Sequence, residues 1–205
     1  MNTKFAKDVE KGLNANPKYL DSKYFYNERG DQLFQQIMEL DEYYLTNCEY
    51  EILKNNAEHY RTLFQDSGTH FSLVELGAGD GLKTKVLLQH FTDKQANFSY
   101  LPIDISKNVL NILQKQIHKE IPELEVEPYS GDYFNALDRV NTDEQDRKIV
   151  LFLGSTIGNF AYEDAINFLK ELHRQMKPKD ILLIGFDLKK DPNIILNAYN
   201  DAKGV

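Results

Sequence analysis

Cysteine is nearly absent: Cys48 is the only one in 205 residues. No disulfide can form within the chain, and a zinc site built from four cysteines is excluded. A reducing cytoplasm is the natural setting for such a sequence. Long apolar runs are missing as well. No window approaches the roughly 18 apolar residues that a membrane span needs. The segment Met1 to Gly12, with Lys4, Lys7, Asp8, Glu10 and Lys11, holds no apolar stretch of signal-peptide length. Basic charge is in deficit, 24 Lys and Arg against 32 Asp and Glu, a formal net charge of −8. That balance argues against a general nucleic-acid binder, which needs cations to displace counterions from phosphates. The five histidines, His59, His70, His90, His118 and His173, are scattered without metal-ligand spacing on one face, so no metal site is expected. What remains is 41% apolar and 27% charged residues, the proportions of a globular chain with room for one well-buried α/β domain.

Two regions differ in character. Residues 1–67 are polar, aromatic-rich and helical in pattern, and residues 68–205 alternate short apolar runs with amphipathic stretches. The turn-forming stretch Gln65-Asp66-Ser67-Gly68-Thr69 marks the boundary between them. In the first region the periodicity predicts helices over Thr3–Leu13 and Asp31–Met38. A third helix is expected from Thr46 to about Phe64, opened by a capping box of Thr46 and Glu49, with Ile52, Leu53, Ala57, Tyr60 and Phe64 as its buried stripe. Cys48 falls in the capping turn as a small packing residue. In the second region strands are expected at Phe71–Leu76, Phe98–Ile103, Glu125–Tyr129, Ile149–Leu153 and Ile181–Phe186. Helices are expected over Leu82–Phe91, from Ser106 to Ile121, over Glu163–Met176 and over Asp191–Asp201, with Pro192 at a first-turn position. Strands separated by helices imply a parallel sheet with right-handed crossovers. Ligands of such sheets bind beyond the carboxyl ends of the strands, near the reversal of strand order.

The chemistry-bearing residues lie at those ends. Glu75-Leu-Gly77-Ala-Gly79-Asp80-Gly81 closes the first strand, and alternate glycines let the backbone turn sharply and approach a ligand. Pro102-Ile103-Asp104 closes the second, where a carboxylate can accept both hydroxyls of a ribose or simply form an Asx turn. Gly131-Asp132-Tyr133-Phe134 follows the third, with an acid for an adenine amino group and a ring to pack on the base. Together the three describe a pocket for an adenosine moiety. A dinucleotide site spaces its glycines G-x-G-x-x-G. Here the spacing is G-x-G-x-G with Leu82 next, and Glu75 suits the cationic amino end of S-adenosylmethionine better than a pyrophosphate. The fourth strand runs into Gly154-Ser155-Thr156-Ile157-Gly158-Asn159, where Asn159 can accept from an amine and donate to a carboxylate. No motif for methylating nucleic-acid bases occurs. Lys189-Lys190 is read as a solvated loop, and Met38 and Met176 as core.

Tyr24-Phe25-Tyr26-Asn27-Glu28-Arg29-Gly30, Leu33-Phe34 and Leu40-Asp41-Glu42-Tyr43-Tyr44-Leu45-Thr46 resemble the opening of the histidine-specific, S-adenosylmethionine-dependent methyltransferase family. Glu75–Gly81 with Lys83-Thr84, the run Leu153–Asn159 and Ala198-Tyr199-Asn200-Asp201-Ala202-Lys203-Gly204-Val205 fit the same pattern. The family trimethylates the α-amino group of histidine on the way to ergothioneine. The resemblance implies a Rossmann-like class I methyltransferase sheet behind an N-terminal helical segment. Gly77, Gly79, Lys83, Asp104, Asp132 and Tyr133 would hold the cofactor. Tyr43, Asn159 and Tyr199 would hold the amino-acid substrate, with Tyr26, Gly154 and Thr156 lining the site. Asn159 and Tyr43 would position the amine, and no residue is expected to act as acid, base or nucleophile. Leu45-Thr46-Asn47 departs from the family's Pro-Thr-Arg. The family also continues past Gly204-Val205 into a lobe that contacts the imidazole, so the last sheet strands are expected to be missing. Ile181–Phe186 would then be an exposed apolar edge open to self-association. Two other readings stay open: a nucleotide-dependent oxidoreductase, and a module that binds the cofactor without transferring a methyl group.

Overall fold

All six residues of Phe71–Leu76 (β1) are buried, the mark of a strand covered on both faces. The computed structural model describes residues 3–21, 24, 28–65, 68–143 and 146–204. Beside β1 lie Phe98–Asp104 (β2), Tyr129–Ser130 (β3), Arg147–Phe152 (β4) and Ile181–Ile184 (β5). The strands form one parallel sheet in the order β3-β2-β1-β4-β5. The order reverses between β1 and β4. The crossover helices are Lys85–Asp93 (α5), Lys107–Glu120 (α6), Tyr133–Asp143 (α7) and Tyr162–Gln175 (α8), after four earlier helices Thr3–Asn14 (α1), Glu28–Met38 (α2), Leu45–Asn55 (α3) and Ala57–Phe64 (α4). Pro192–Ala198 (α9) follows β5, its first turn capped by Asp191, which accepts from the Asn193 N–H.

Right-handed crossovers put helices on opposite faces when the chain changes direction across the sheet. On one face Leu73, Tyr100, Ile149 and Leu151 pack on Leu87 and Phe91 of α5, Leu113 and Ile117 of α6, and Phe64 of α4. On the other, Val74, Leu76, Ile103, Val150 and Phe152 meet Leu137 and Val140 of α7 and Phe168 and Leu172 of α8. Strict alternation along β1 places Glu75 on the α5 face with Leu73. At the carboxyl end of the sheet, Leu40, Tyr43 and Leu45 form a third cluster with Ala198 of α9. The first and last parts of the chain thus meet above the β4 tip. No helix among the described residues is long and apolar enough to cross a membrane.

Several expectations are corrected. Thr46 and Glu49 do not form a capping box. Tyr44 occupies the cap position with no side-chain capping bond, Thr46 is buried in the first turn, and Glu49 reaches elsewhere. The long third helix is two. Asn56 breaks it by turning its side-chain amide onto the Ile52 carbonyl, and Ile52 is 54% exposed rather than buried. Cys48 is exposed. The helix expected from Leu82 begins at Lys85, because residues 82–84 complete the glycine turn. The strand at Glu125–Tyr129 shrinks to Tyr129–Ser130 and a single bridge between Tyr100 and Val126. The last strand ends at Ile184, is half-buried, and leaves Phe186 61% exposed, since it lies at the sheet edge with one neighbour. α9 stops at Ala198, three residues before Asp201. Lys190 is not merely solvated: it pairs with Asp187 and lies 4.0 Å over the Tyr44 ring. Helix α7 and the 3-10 helix Thr156–Asn159 were not anticipated. The domain boundary at 67 and 68 has its residues 66 and 67 outside the described residues.

Candidate active site at the carboxyl ends of the strands

The turn after β1 is held from two sides. Gly77 and Ala78 donate to the Ile103 carbonyl at 2.8 and 3.2 Å, which ties the loop to β2. Gly77 has φ +74°, and a Cβ there would lie 2.9 Å from the Tyr133 hydroxyl, so the tyrosine ring rests on the loop. Gly81 has φ +66°, and a Cβ there would strike Leu113 of α6. Both positions combine a left-handed backbone with a close neighbour, which only glycine satisfies.

Glu75 lies beneath this turn and is 3% exposed. Its Oε1 accepts from the Thr84 hydroxyl at 2.6 Å and its Oε2 from the Tyr100 hydroxyl. Burial pushes the carboxyl up to about 7, against the lowering effect of the two hydrogen bonds and of Lys83. The expectation that Glu75 meets the amino end of a cofactor is therefore corrected. The alternation of β1 turns it into the core, where it braces the loop.

Asp104 stands at the β2 tip, between the tips of β1 and β3. Its Oδ2 accepts from the Gly79 N–H at 3.0 Å and its Oδ1 from the Ser106 N–H at 2.9 Å. Burial raises its pKa, and the backbone donors oppose that rise. Each oxygen keeps a lone pair for another donor. Ser106 caps α6 as expected, accepting from the Val109 N–H, and its hydroxyl donates to Asp31 of α2 at 3.2 Å. The Asp104 carbonyl accepts from the Gly131 N–H at 3.0 Å, which fastens the next strand end to this one. Asp132 follows, exposed, and its carboxylate accepts from the Asn135 backbone and side-chain amides, capping α7. Tyr133 turns inward, with edge contacts to Phe152 and Phe168 at 5.9 and 6.0 Å.

Across the reversal of strand order, Leu153 leads into Gly154 and Ser155, both left-handed with φ +74° and +52°. The Gly154 N–H donates to both oxygens of Glu49, at 2.8 and 2.9 Å, and Glu49 also pairs with the Lys83 ammonium. Thr156 donates to the Leu153 carbonyl at 2.9 Å. Beyond it, a cleft of about 280 Å³ is lined by Ser155, Ile157, Gly158, Asn159, Phe186, Asp187 and Tyr199. Tyr43, buried, meets the Tyr199 ring edge-on at 5.8 Å and the Phe34 ring at 6.2 Å. Tyr44 donates to Asp187 at 2.5 Å, so the first segment of the chain closes one wall of this cleft.

The structure thus brings Gly77, Gly79, Lys83, Asp104, Tyr133, Gly154 and Thr156 into one line across four neighbouring strand ends. Asp132 sits at the outer end of that line, and Tyr43, Asn159 and Tyr199 at the other. Tyr26 lies outside the described residues. Glu49 and Asp187 were missed by sequence reasoning. Glu49 matched a local capping pattern, and nothing near Asp187 in sequence marks it. The line fits an adenosyl amino acid. A Cβ at Gly79 or Gly131 would meet nothing within 4 Å, so both turns are open, with the carboxylate of Asp104 between them.

The model of the family described as "Histidine-specific methyltransferase, SAM-dependent" matches residues 5–205. The histidine N-alpha-methyltransferase of Mycolicibacterium smegmatis is 38% identical over 199 residues, 97% of this chain and 60% of that protein. The ergothioneine biosynthesis protein 1 of Neurospora crassa is 36% identical over 191 residues, 92% of this chain and 21% of that protein. The chain therefore spans about 60% of the first relative and a smaller share of the second. Among solved structures, the plantazolicin methyltransferase BamL, in complex with a triazolic desmethylPZN analog and SAH, superposes with a TM-score of 0.52 at 12% identity. The match covers 87% of this chain and 56% of BamL, a likeness of fold.

Proposed function

Because the chain belongs to the histidine-specific, SAM-dependent methyltransferase family, we propose that it binds S-adenosylmethionine along the line of strand ends and serves N-methylation of the α-amino group of an amino acid, histidine. The observation that carries this reading is the contact of the Asp104 carboxylate with the Gly79 N–H. It sets a carboxylate with remaining acceptor capacity against an open glycine turn, which supports ribose hydroxyls as its partners. Asp132 and Tyr133 take the adenine, and Lys83 takes the cofactor's carboxylate. When bound, the cofactor supplies a methyl group on a positively charged sulfur.

The protein's own residues align and dry the site. Tyr43, Asn159 and Tyr199, with Gly154, Thr156 and Tyr26, take the amino-acid substrate. Asn159 offers an acceptor to the amine and a donor to the carboxylate. The attacking amine must be neutral, and the apolar lining of the cleft, Ile157, Phe186 and the Tyr199 ring, favours the uncharged form by desolvation. Tyrosine faces stabilise a methylated ammonium by about 0.5–2 kcal/mol each. Holding the lone pair in line with the methyl carbon is the main contribution asked of the fold.

Thermal unfolding with added ligand tests the reading. S-Adenosylhomocysteine at about 100 times its Kd should stabilise the protein by about 2.7 kcal/mol, and NAD should leave it unchanged. Stabilisation by NAD alone would return the oxidoreductase reading. A second reading is that the chain binds the cofactor without transferring methyl. A labelled-methyl assay on histidine separates the two. The half-exposed β5 edge supports self-association as part of the proposal. Light scattering should show a mass that rises with concentration, and a constant monomer mass would remove that part.

A further inference from the structure

We infer that Glu49 is a cofactor-binding residue: with Lys83 it forms a two-ended clamp for the amino-acid zwitterion of S-adenosylmethionine, Lys83 taking the carboxylate and Glu49 the ammonium. The inference rests on the reading above and deepens it at one subsite.

The seat of Glu49 is built. The side chain leaves α3 and crosses to the crevice between β1 and β4, where ligands of a doubly wound sheet bind. Both oxygens accept from the Gly154 N–H, at 2.8 and 2.9 Å. Gly185 has no room for a Cβ against Oε1, so the backbone after β5 is shaped around the carboxylate. The Lys83 ammonium would stand 3.4 Å from a Cβ at Gly154, and it donates to Glu49 Oε2. The side chains of Lys83 and Glu49 are 21% and 14% exposed, so both charges remain within reach of a ligand.

An internal ion pair here has a specific use. Partly buried charges lose hydration that one contact does not fully restore. A zwitterion offers each member a partner of opposite sign, so it enters between them without leaving any charge unpaired. Each group also has capacity in hand. The ammonium has three donors and the carboxylate about four acceptor positions. The acid at the end of β1 cannot serve, because Glu75 is buried and occupied by Thr84 and Tyr100. The substrate amine is assigned to the cleft beyond Thr156, not to Glu49. The cofactor's amino group takes no part in the reaction and can stay charged.

Calorimetric titration of the whole chain tests the clamp with three probes: S-adenosylhomocysteine, its deaminated analogue, and 5′-methylthioadenosine, which lacks both charges. Glu49→Gln keeps an acceptor for Gly154 and removes the charge. It should weaken S-adenosylhomocysteine by about 10- to 100-fold and leave the other two within about threefold of the parent. Equal weakening of all three would mean a merely structural tie and would overturn the inference. So would unchanged S-adenosylhomocysteine binding, or a loss confined to histidine titrated into the complex. If Glu49→Gln does not fold, the parent decides: equal affinity for S-adenosylhomocysteine and its deaminated analogue overturns the clamp. A parent that binds none of the probes overturns the proposed function itself, and the clamp with it.

Discussion

Asp104→Ala should weaken S-adenosylhomocysteine binding by about 100-fold or more and lower the unfolding free energy by about 1–3 kcal/mol. The two effects have separate origins in one carboxylate. Its oxygens already hold the Gly79 and Ser106 N–H groups, at 3.0 and 2.9 Å. Removing them leaves two backbone donors at a partly buried turn without partners, the source of the stability loss. The same oxygens are proposed to accept two ribose hydroxyls. Hydrogen bonds to a charged group contribute about 1.5–3 kcal/mol each, and two of them account for the affinity. Asp104→Asn retains one oxygen acceptor and should recover most of the stability while recovering little of the binding. Calorimetry and urea unfolding on the three proteins measure both quantities. Asp104→Ala binding S-adenosylhomocysteine as the parent does would remove Asp104 from the site and leave it as the Asx turn of α6.

Glu75→Gln should flatten the pH dependence of stability between pH 4.5 and 7. The ordinary value for the carboxyl is 4.5, and burial raises it to about 7 in the folded protein. Below pH 4.5 the group is protonated in both states and its contribution to stability is complete. As pH rises, the unfolded chain releases the proton first, so the unfolded state gains. Stability then falls until the folded carboxyl also ionises near pH 7, a loss of about 3 kcal/mol across the window. The pKa of about 7 already reflects the Thr84 and Tyr100 hydroxyls, which donate to the ionised form. Glutamine keeps an oxygen for one hydroxyl and an amide that the other can accept from. Urea unfolding at pH 5 and pH 8 reads the effect directly. The parent should lose stability between the two and Glu75→Gln should lose less. Identical slopes would show that another group carries the titration.

Glu75 and Glu49 mark how far the sequence could be read. The acid before Gly77 was visible, and so was its place at the end of an apolar run. Its direction was not, because a one-residue shift in the alternation of β1 would turn it from the core to the other face. Asp104 and the glycine turn were legible because strand ends, glycines and a following helix are local signals. Helix α7 escaped because its capping acid, Asp132, had been given wholly to a ligand, yet its carboxylate accepts from Asn135. The Asn56 break escaped because the apolar spacing runs on through it.

The alternation of apolar runs and amphipathic stretches, with turn chemistry at each strand end, determined by itself a parallel sheet and the edge on which its ligand residues lie. Nearest-neighbour physics suffices there, since burial of period-2 and period-3.6 faces is a property of each segment. Only the tertiary structure decided which acids reach the crevice. Thr46 and Glu49 satisfy a capping pattern that contributes about 1 kcal/mol. The fold instead brings Gly154, 105 residues away, and Lys83 to the same carboxylate. A charge-assisted contact with an ammonium and a backbone donor outweighs a helix cap. No local pattern records it, because both partners arrive only when the sheet has closed.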